Sequence, residues 1–94
     1  MTTRGEVLNE AADIIGRDRN VAYGDPERNF DRVATMWGAY KGVYFEAHDV
    51  AAMLVLLKVA RIAVSPDRLD HWVDVAGYGA CGGEVRPEVP HERT

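Results

Sequence analysis

Asp67, Asp70 and Asp74 are spaced three and four residues apart, which puts their carboxylates along one face if the segment is helical. Two carboxylates on one helix turn can hold Mg²⁺ when a neighbouring helix and water complete the octahedron of oxygens. Asp70 and Asp74 are thus the candidate metal residues, although the preceding helix offers only Asp49, at a first turn where an acid also complements the helix dipole. Lys58 and Arg61 are the cations of an otherwise apolar stretch. Arginine meets phosphate or carboxylate through a bidentate fork, and lysine meets it as a point charge. The pair either receives an anion, faces water, or pairs with Asp70 and Asp74 on the next helix. A third group lies in the polar link Arg17-Asp-Arg-Asn-Val-Ala-Tyr-Gly-Asp-Pro26. It leads into a helix N-terminus, where backbone N–H groups and the dipole favour an anion. Arg17 and Arg19 offer a phosphate clamp there and Tyr23 a stacking ring; the alternative is a capped loop with Tyr23 packed on the bundle end.

Tyr78 stands among Gly77, Gly79, Gly82 and Gly83, each of which weakens a helix by about 1 kcal/mol relative to alanine. Such a cost points to close approach by another backbone, a planar ligand or a second subunit; otherwise the helix frays after Ala80. The candidate ligand-binding set is therefore Arg19, Tyr23, Lys58, Arg61, Asp74 and Tyr78, with no residue assigned a catalytic role. His48 has no second histidine at a useful spacing and reads as a helix-start residue. Cys81, the single cysteine, reads as a small buried side chain.

These residues need helices to position them. Thr3 and Glu6 have capping-box spacing, so a first helix is expected from about Arg4 to Arg17, with Val7, Leu8, Ala11, Ile14 and Ile15 inward. Asp25-Pro26-Glu27 places an acid at the N-cap and proline at the first helical position of a second helix ending near Gly42. Its stripe is Phe30, Val33, Ala34, Trp37 and Tyr40. The third helix begins at Glu46 or Ala47 and ends at Ser65-Pro66, because the residue before proline disfavours helical geometry. At about 100° per residue its apolar side chains cover roughly two thirds of the circumference. That pattern predicts a helix at the centre of the bundle, with Trp37, Leu57 and Trp72 in or near the core. A fourth helix is expected from Pro66 or Asp67 to Gly82, with Trp72, Val73, Val75, Ala76 and Ala80 inward and Asp70, Asp74, Tyr78 and Cys81 opposite. No alternating β-branched run signals a strand. The expected fold is an all-α, compact four-helix bundle over residues 1–85, with a polar 17–25 loop and a disordered, flexible tail over 86–94.

Ninety-four residues make one domain. A formal charge of −4 argues against a duplex DNA or other duplex nucleic-acid partner, which would call for a clustered basic face. The N-terminus lacks a signal-peptide pattern and no apolar run reaches bilayer length, so the expectation is a cytoplasmic protein with no membrane contact. A helix this apolar in so short a chain also leaves surface uncovered, which predicts at least a homo-oligomer.

Three blocks in order, Tyr23-Gly-Asp-Pro with Asn29-Phe30, His48 through Arg61, and Trp72-Val-Asp-Val-Ala-Gly-Tyr78, resemble a family of small helical proteins of unknown function from tailed bacteriophages and prophages. The last block, an acid followed by Asp-x-x-Gly-Tyr, is similar to the nucleotide-modification-associated domain and, distantly, to MazG-like all-α nucleoside triphosphate pyrophosphohydrolases. The resemblance implies a nucleotide-type anionic ligand, host-cell cytoplasm as the setting, and roles such as sequestering a host immune signal or serving phage nucleotide metabolism. It also implies Mg²⁺ as a cofactor if the chain is an enzyme. MazG-like enzymes hold that ion with Glu-x-x-Glu on one helix and Glu-x-x-Asp on the next. Here Asp70 and Asp74 are four apart and the third helix has no Glu-x-x-Glu, so only Asp74 carries over. Binding is thus favoured over hydrolysis, and a protein-interaction inhibitor of a host enzyme stands as the third possibility.

Overall fold

The computed structural model describes residues 1–18 and 26–88. The described residues form four α-helices and no strand: α1 (Arg4–Asp13), α2 (Pro26–Lys41), α3 (Ala47–Val64) and α4 (Leu69–Val85). The all-α expectation holds. The 17–25 loop lies largely, and the tail from residue 89 wholly, outside the described residues.

Local chemistry accounts for the boundaries. The Glu6 backbone N–H donates to Thr3 Oγ1 at 3.2 Å and the Thr3 N–H donates to Glu6 Oε1 at 3.3 Å, so α1 opens on the expected capping box. The expected helix to Arg17 is α-helical only to Asp13 and widens into a π turn over Ile14–Asp18. α2 ends where Gly42 turns into the left-handed region, φ +69°. The N–H groups of Gly42 and Val43 then both donate to the Gly38 carbonyl, at 2.7 and 3.2 Å. α3 stops at Ser65, ahead of Pro66, as expected. α4 starts later than expected because Pro66 and Asp67 form a turn and Arg68 is extended. It also continues through Gly82 and Gly83 to Val85.

Among the described residues α4, not α3, is the central helix: it packs on α1, α2 and α3, whereas α3 packs on α2 and α4 only. The reason is the small residues of α4. A Cβ built on Gly77 would stand 3.4 Å from Ile15 Cγ2, and one on Gly82 would stand 3.1 Å from Ala51 Cβ. A side chain at Gly82 would press on α3, whereas even a methyl group at Gly77 would already be in contact with Ile15 of the π turn. Two of the four glycines therefore serve close approach within the chain; Gly79 and Gly83 face open space.

The buried face of α4 is Val73, Gly77 and Cys81, flanked by partly buried Asp74 and Tyr78. It is turned by about a third of a turn from the arc expected from apolar residues alone. Trp72 accordingly lies outside the core, 47% exposed, with its indole N–H donating to the Pro66 carbonyl at 2.9 Å. That bond fixes the ring over the α3–α4 turn. Leu57, Leu8 and Tyr40 are exposed too, contrary to expectation. Leu8 is on the helix that, among the described residues, reaches only α4 and the π turn that follows it. At the end of α2, Phe45 returns to meet Trp37 edge-to-face, ring centroids 6.3 Å apart, in the place expected for Tyr40. The buried core of Phe30, Ala34, Ala47, Val50, Ala51 and Cys81 is closed by partly buried side chains, among them Trp37, Phe45, Leu54 and Tyr78.

Two glycine replacements should have opposite effects. Gly79→Ala adds a methyl group to open space in a helix and should stabilise the protein by up to about 1 kcal/mol. Gly38→Ala would place its Cβ 2.8 Å from the Val43 carbonyl oxygen and should destabilise by about 1–3 kcal/mol through overpacking. Urea unfolding followed by helical circular dichroism measures both.

Candidate functional site

α3 carries the arrangement that decides what the candidate residues can do. Ala47, Val50, Ala51, Leu54 and Lys58 lie on its inward side, and Lys58 is one turn beyond Leu54 on the same row. Because α4 returns antiparallel after a short turn, Lys58 comes level with Asp74, and their Nζ and Oδ2 atoms are 2.9 Å apart. The two side chains are only 18% and 20% exposed. Removing either group would leave the other as a poorly solvated lone charge. The structure thus brings together Lys58 and Asp74, one from the candidate anion site and one from the candidate metal pair, and each charge is met by the other.

The remaining candidates lie apart. Arg61 is exposed and makes no ion pair among the described residues. Tyr78 packs partly buried against the core. Asp70 is exposed in the first turn of α4, its Oδ2 3.2 Å from Arg68 Nη2. Its own backbone N–H, then the hydrogen bond and charge of Arg68, hold its carboxyl below the ordinary carboxylate range. A depressed carboxyl pKa contributes stability that is present above the unfolded value and lost as pH falls through the folded value. Arg19 and Tyr23 lie outside the described residues.

Among the described residues, one group could bring three ligand atoms to a metal ion: Glu46, His48 and Asp49, within 4.8 Å of one another. Its geometry is that of a helix start. The Glu46 N–H donates to Asp49 Oδ2 at 2.9 Å, and His48 lies between the two carboxylates, 3.4 and 3.7 Å away. The positive end of the α3 dipole disfavours a cation at that place. A cleft of about 340 Å³ opens beside it, lined by Asp31, Thr35, Tyr44, Glu46 and His48 among others. Two acids in that lining repel an anion, so the cleft does not suit a nucleotide phosphate.

The feature that sequence reasoning misplaced is the other side of α3. Ala52, Met53, Leu56, Leu57, Val59, Ala60, Ala63 and Val64 are all exposed, Leu56 by 64% and Val64 by 84%. This face has no polar residue from Ala52 to Ala60, while the helix's lysine points inward. The periodicity was visible in the sequence, but it does not say which side of so apolar a helix meets its neighbours. The signal that could have oriented it is the pairing of Lys58 with Asp74 across a short antiparallel turn.

Among the described residues these features define an all-α helical protein. The chain belongs to the family described as a domain of unknown function, DUF6378, whose model matches residues 6–86. It is 48% identical over 73 residues to the Gene 55 protein of Mycobacterium phage L5, covering 77% of this chain and 47% of that protein. It is 35% identical over 82 residues to the Gene 55 protein of Mycobacterium phage D29, covering 87% of this chain and 54% of that one. The chain therefore spans about half the length of the curated relatives it matches. No solved structure matches it. No helix among the described residues is long and apolar enough to cross a membrane.

The Lys58–Asp74 pair yields a direct test of a structural role. Lys58→Met should cost about 1–3 kcal/mol, below the range for fully buried pairs because both groups keep some water. Lys58→Met combined with Asp74→Leu should recover most of that loss, giving a coupling energy well outside error in a double-mutant cycle. Additive losses would mean that the two charges act independently. In an NMR titration, Arg68→Ala should move the Asp70 carboxyl back up toward the ordinary range, with its own backbone N–H still holding it somewhat low.

Proposed function

We propose that this phage-family chain is a protein-interaction module that docks through the outer face of α3, acting in the host cytoplasm without a cofactor. The observation that carries the reading is an inversion: the larger apolar side chains of α3 face water while its lysine is paired inside. A contiguous apolar face of this kind marks an interaction surface more often than a bare monomer surface. Catalysis fits less well. Asp70 and Asp74 are each engaged by a cation of the chain itself, and a metal-assisted displacement needs fixed oxygens free to clamp the ion.

Binding of a nucleotide-type anion is the second reading, favoured by the exposed guanidinium of Arg61 on α3 not far along the chain from the turn to α4. It has lost Lys58 to Asp74, which leaves Arg61 with Arg19 and Tyr23 of the 17–25 loop as its working groups. Hydrolysis of a nucleoside triphosphate with Mg²⁺ would need ligands beyond Asp70 and Asp74.

Photo-cross-linking separates the readings. Benzoylphenylalanine in place of Leu56 should give adducts heavier than the chain in expressing cells, whereas the same group in place of exposed Glu10 should not. Absence of any heavier adduct at position 56 would defeat the docking reading. A thermal-shift screen of nucleotides and cyclic nucleotides, with and without Mg²⁺, tests the second reading, because a ligand of the native state raises its apparent stability. If one binds, Arg61→Ala should weaken it by about 1.5–3 kcal/mol; unchanged affinity with the fold intact would remove Arg61 from any anion site.

A further inference from the structure

We infer that the cleft between α2 and the start of α3 is a binding site for an alkyl cation, an ammonium or guanidinium group on a short methylene stem. The site is separate from the outer face of α3 and stands or falls without it.

The cleft has two kinds of wall. Ala34 and Ala47 are buried, Phe45 and Val85 are partly buried against the core, and all four line it. Its floor is therefore the outer wall of the hydrophobic core. Around that floor stand Asp31, Thr35, Tyr44, Glu46 and His48, and the lining holds no lysine or arginine. A volume of about 340 Å³ is at the lower end for small-molecule sites, which run from roughly 300 to 1,000 Å³. An anion is repelled here, and a wholly apolar ligand would strip water from the carboxylates without replacing it. Methylene groups ending in a positive charge match both walls. Lysine and arginine stems behave in this way, lying along apolar surface while the head stays polar.

Asp31 receives the head. Its carboxylate is exposed on α2 and makes no ion pair among the described residues. Glu46 is less available, because His48 Nδ1 stands 3.4 Å from its Oε2. With Asp49 it also caps α3 and offsets the positive end of that helix. The cation is therefore held toward α2. Thr35 Oγ1 donates to the Asp31 carbonyl at 3.0 Å, which leaves the lone pairs of that hydroxyl for a further donor. Tyr44, 82% exposed, supplies a ring whose face attracts a cation. A formal charge of −4 adds a general pull on positive ligands. A free small cation and the arginine or lysine of another protein share this chemistry.

Amide NMR of the full chain tests this, with n-butylguanidinium as the probe and n-butylurea as its neutral counterpart of the same shape. The cation should give saturable shifts at Thr35, Tyr44, Glu46 and His48, and butylurea should give none there. Asp31→Asn, at an exposed position, should weaken the cation about fivefold, the upper end for an exposed ion pair. Tyr44→Leu should weaken it by a smaller factor, and added salt should weaken it further. A capped pentapeptide with a central arginine identifies the source. Affinity equal to or above that of the free cation supports the side chain of a protein partner, and exclusion of the peptide supports a free small cation. Butylurea moving the same amides as far as the cation would overturn the site. So would unchanged affinity in Asp31→Asn with the fold intact, or the absence of saturable shifts into the tens of millimolar.

Discussion

Among the described residues α4 is the helix that packs on all the others, and its backbone is bare where the π turn and α3 come closest. Gly77 lets Ile15 come within van der Waals reach, and Gly82 does the same for Ala51. Close approach sets which side of α4 faces in, and the side chosen for its lack of bulk carries Asp74 and Tyr78 with it. A carboxylate brought into a partly desolvated seam needs a cation, since an isolated charge there would be poorly solvated. Lys58 is the group at the right height on the antiparallel neighbour, and it meets Asp74 at 2.9 Å. The orientation of α3 follows. With Ala51 against Gly82 and Lys58 against Asp74, the residues half a turn away can only face outward. The exposed face of Met53, Leu56, Leu57 and Ala60 is thus a consequence of how α4 packs.

Much of this chain's local structure is legible in its residues. Thr3 with Glu6, Asp25-Pro26, Gly42 and Ser65-Pro66 are short-range signals, and a short-range signal reports a boundary without help from the rest of the molecule. Helix orientation is a different kind of quantity. For α2, whose polar and apolar sides differ, the stripe of Phe30, Val33, Ala34 and Trp37 points inward as its pattern requires; Tyr40, beyond the last packed turn, does not. For α3 the pattern is nearly uniform around the axis, so hydrophobicity exerts little preference among rotations. For α4 the pattern actively misleads, because Trp72, Val75 and Ala80 are more apolar than the glycines that in fact face its neighbours. Contact distance, not transfer free energy, selects the face there.

The candidate site was legible in its members and not in its meaning. Lys58, Asp70, Asp74 and Arg61 are the charged groups that the residue pattern singles out; among the described residues the first three are ion-paired and Arg61 is not. Residue types and spacing leave the pairing of Lys58 with Asp74 open beside an anion site and solvent exposure, and the observed pair decides between them. Lys58 and Asp74 read separately suggest an anion site and a metal site; at 2.9 Å from each other each satisfies the other's charge. Asp70 is engaged by Arg68 only two residues before it, a local arrangement at a helix start that any acid in the first turn favours.

An ion pair in this position does little for stability compared with apolar groups of the same shape, because desolvation offsets much of the Coulomb attraction. Its effect is on alternatives. If α3 rotated by half a turn, Leu56 and Met53 would enter the bundle, but Lys58 would leave Asp74 behind as a lone charge. Bulky side chains would also press on Gly82, where an added Cβ would stand only 3.1 Å from Ala51 Cβ. Both costs fall on the same rotation, so the seam between α3 and α4 resists the exchange that burial of the outer face would otherwise drive. The apolar surface therefore stays on the outside, held in a rigid helix whose side chains need no rearrangement to meet another surface. Preorganisation of that kind lowers the ordering cost of any association, so a packing restriction inside the monomer fixes the character of the face outside it.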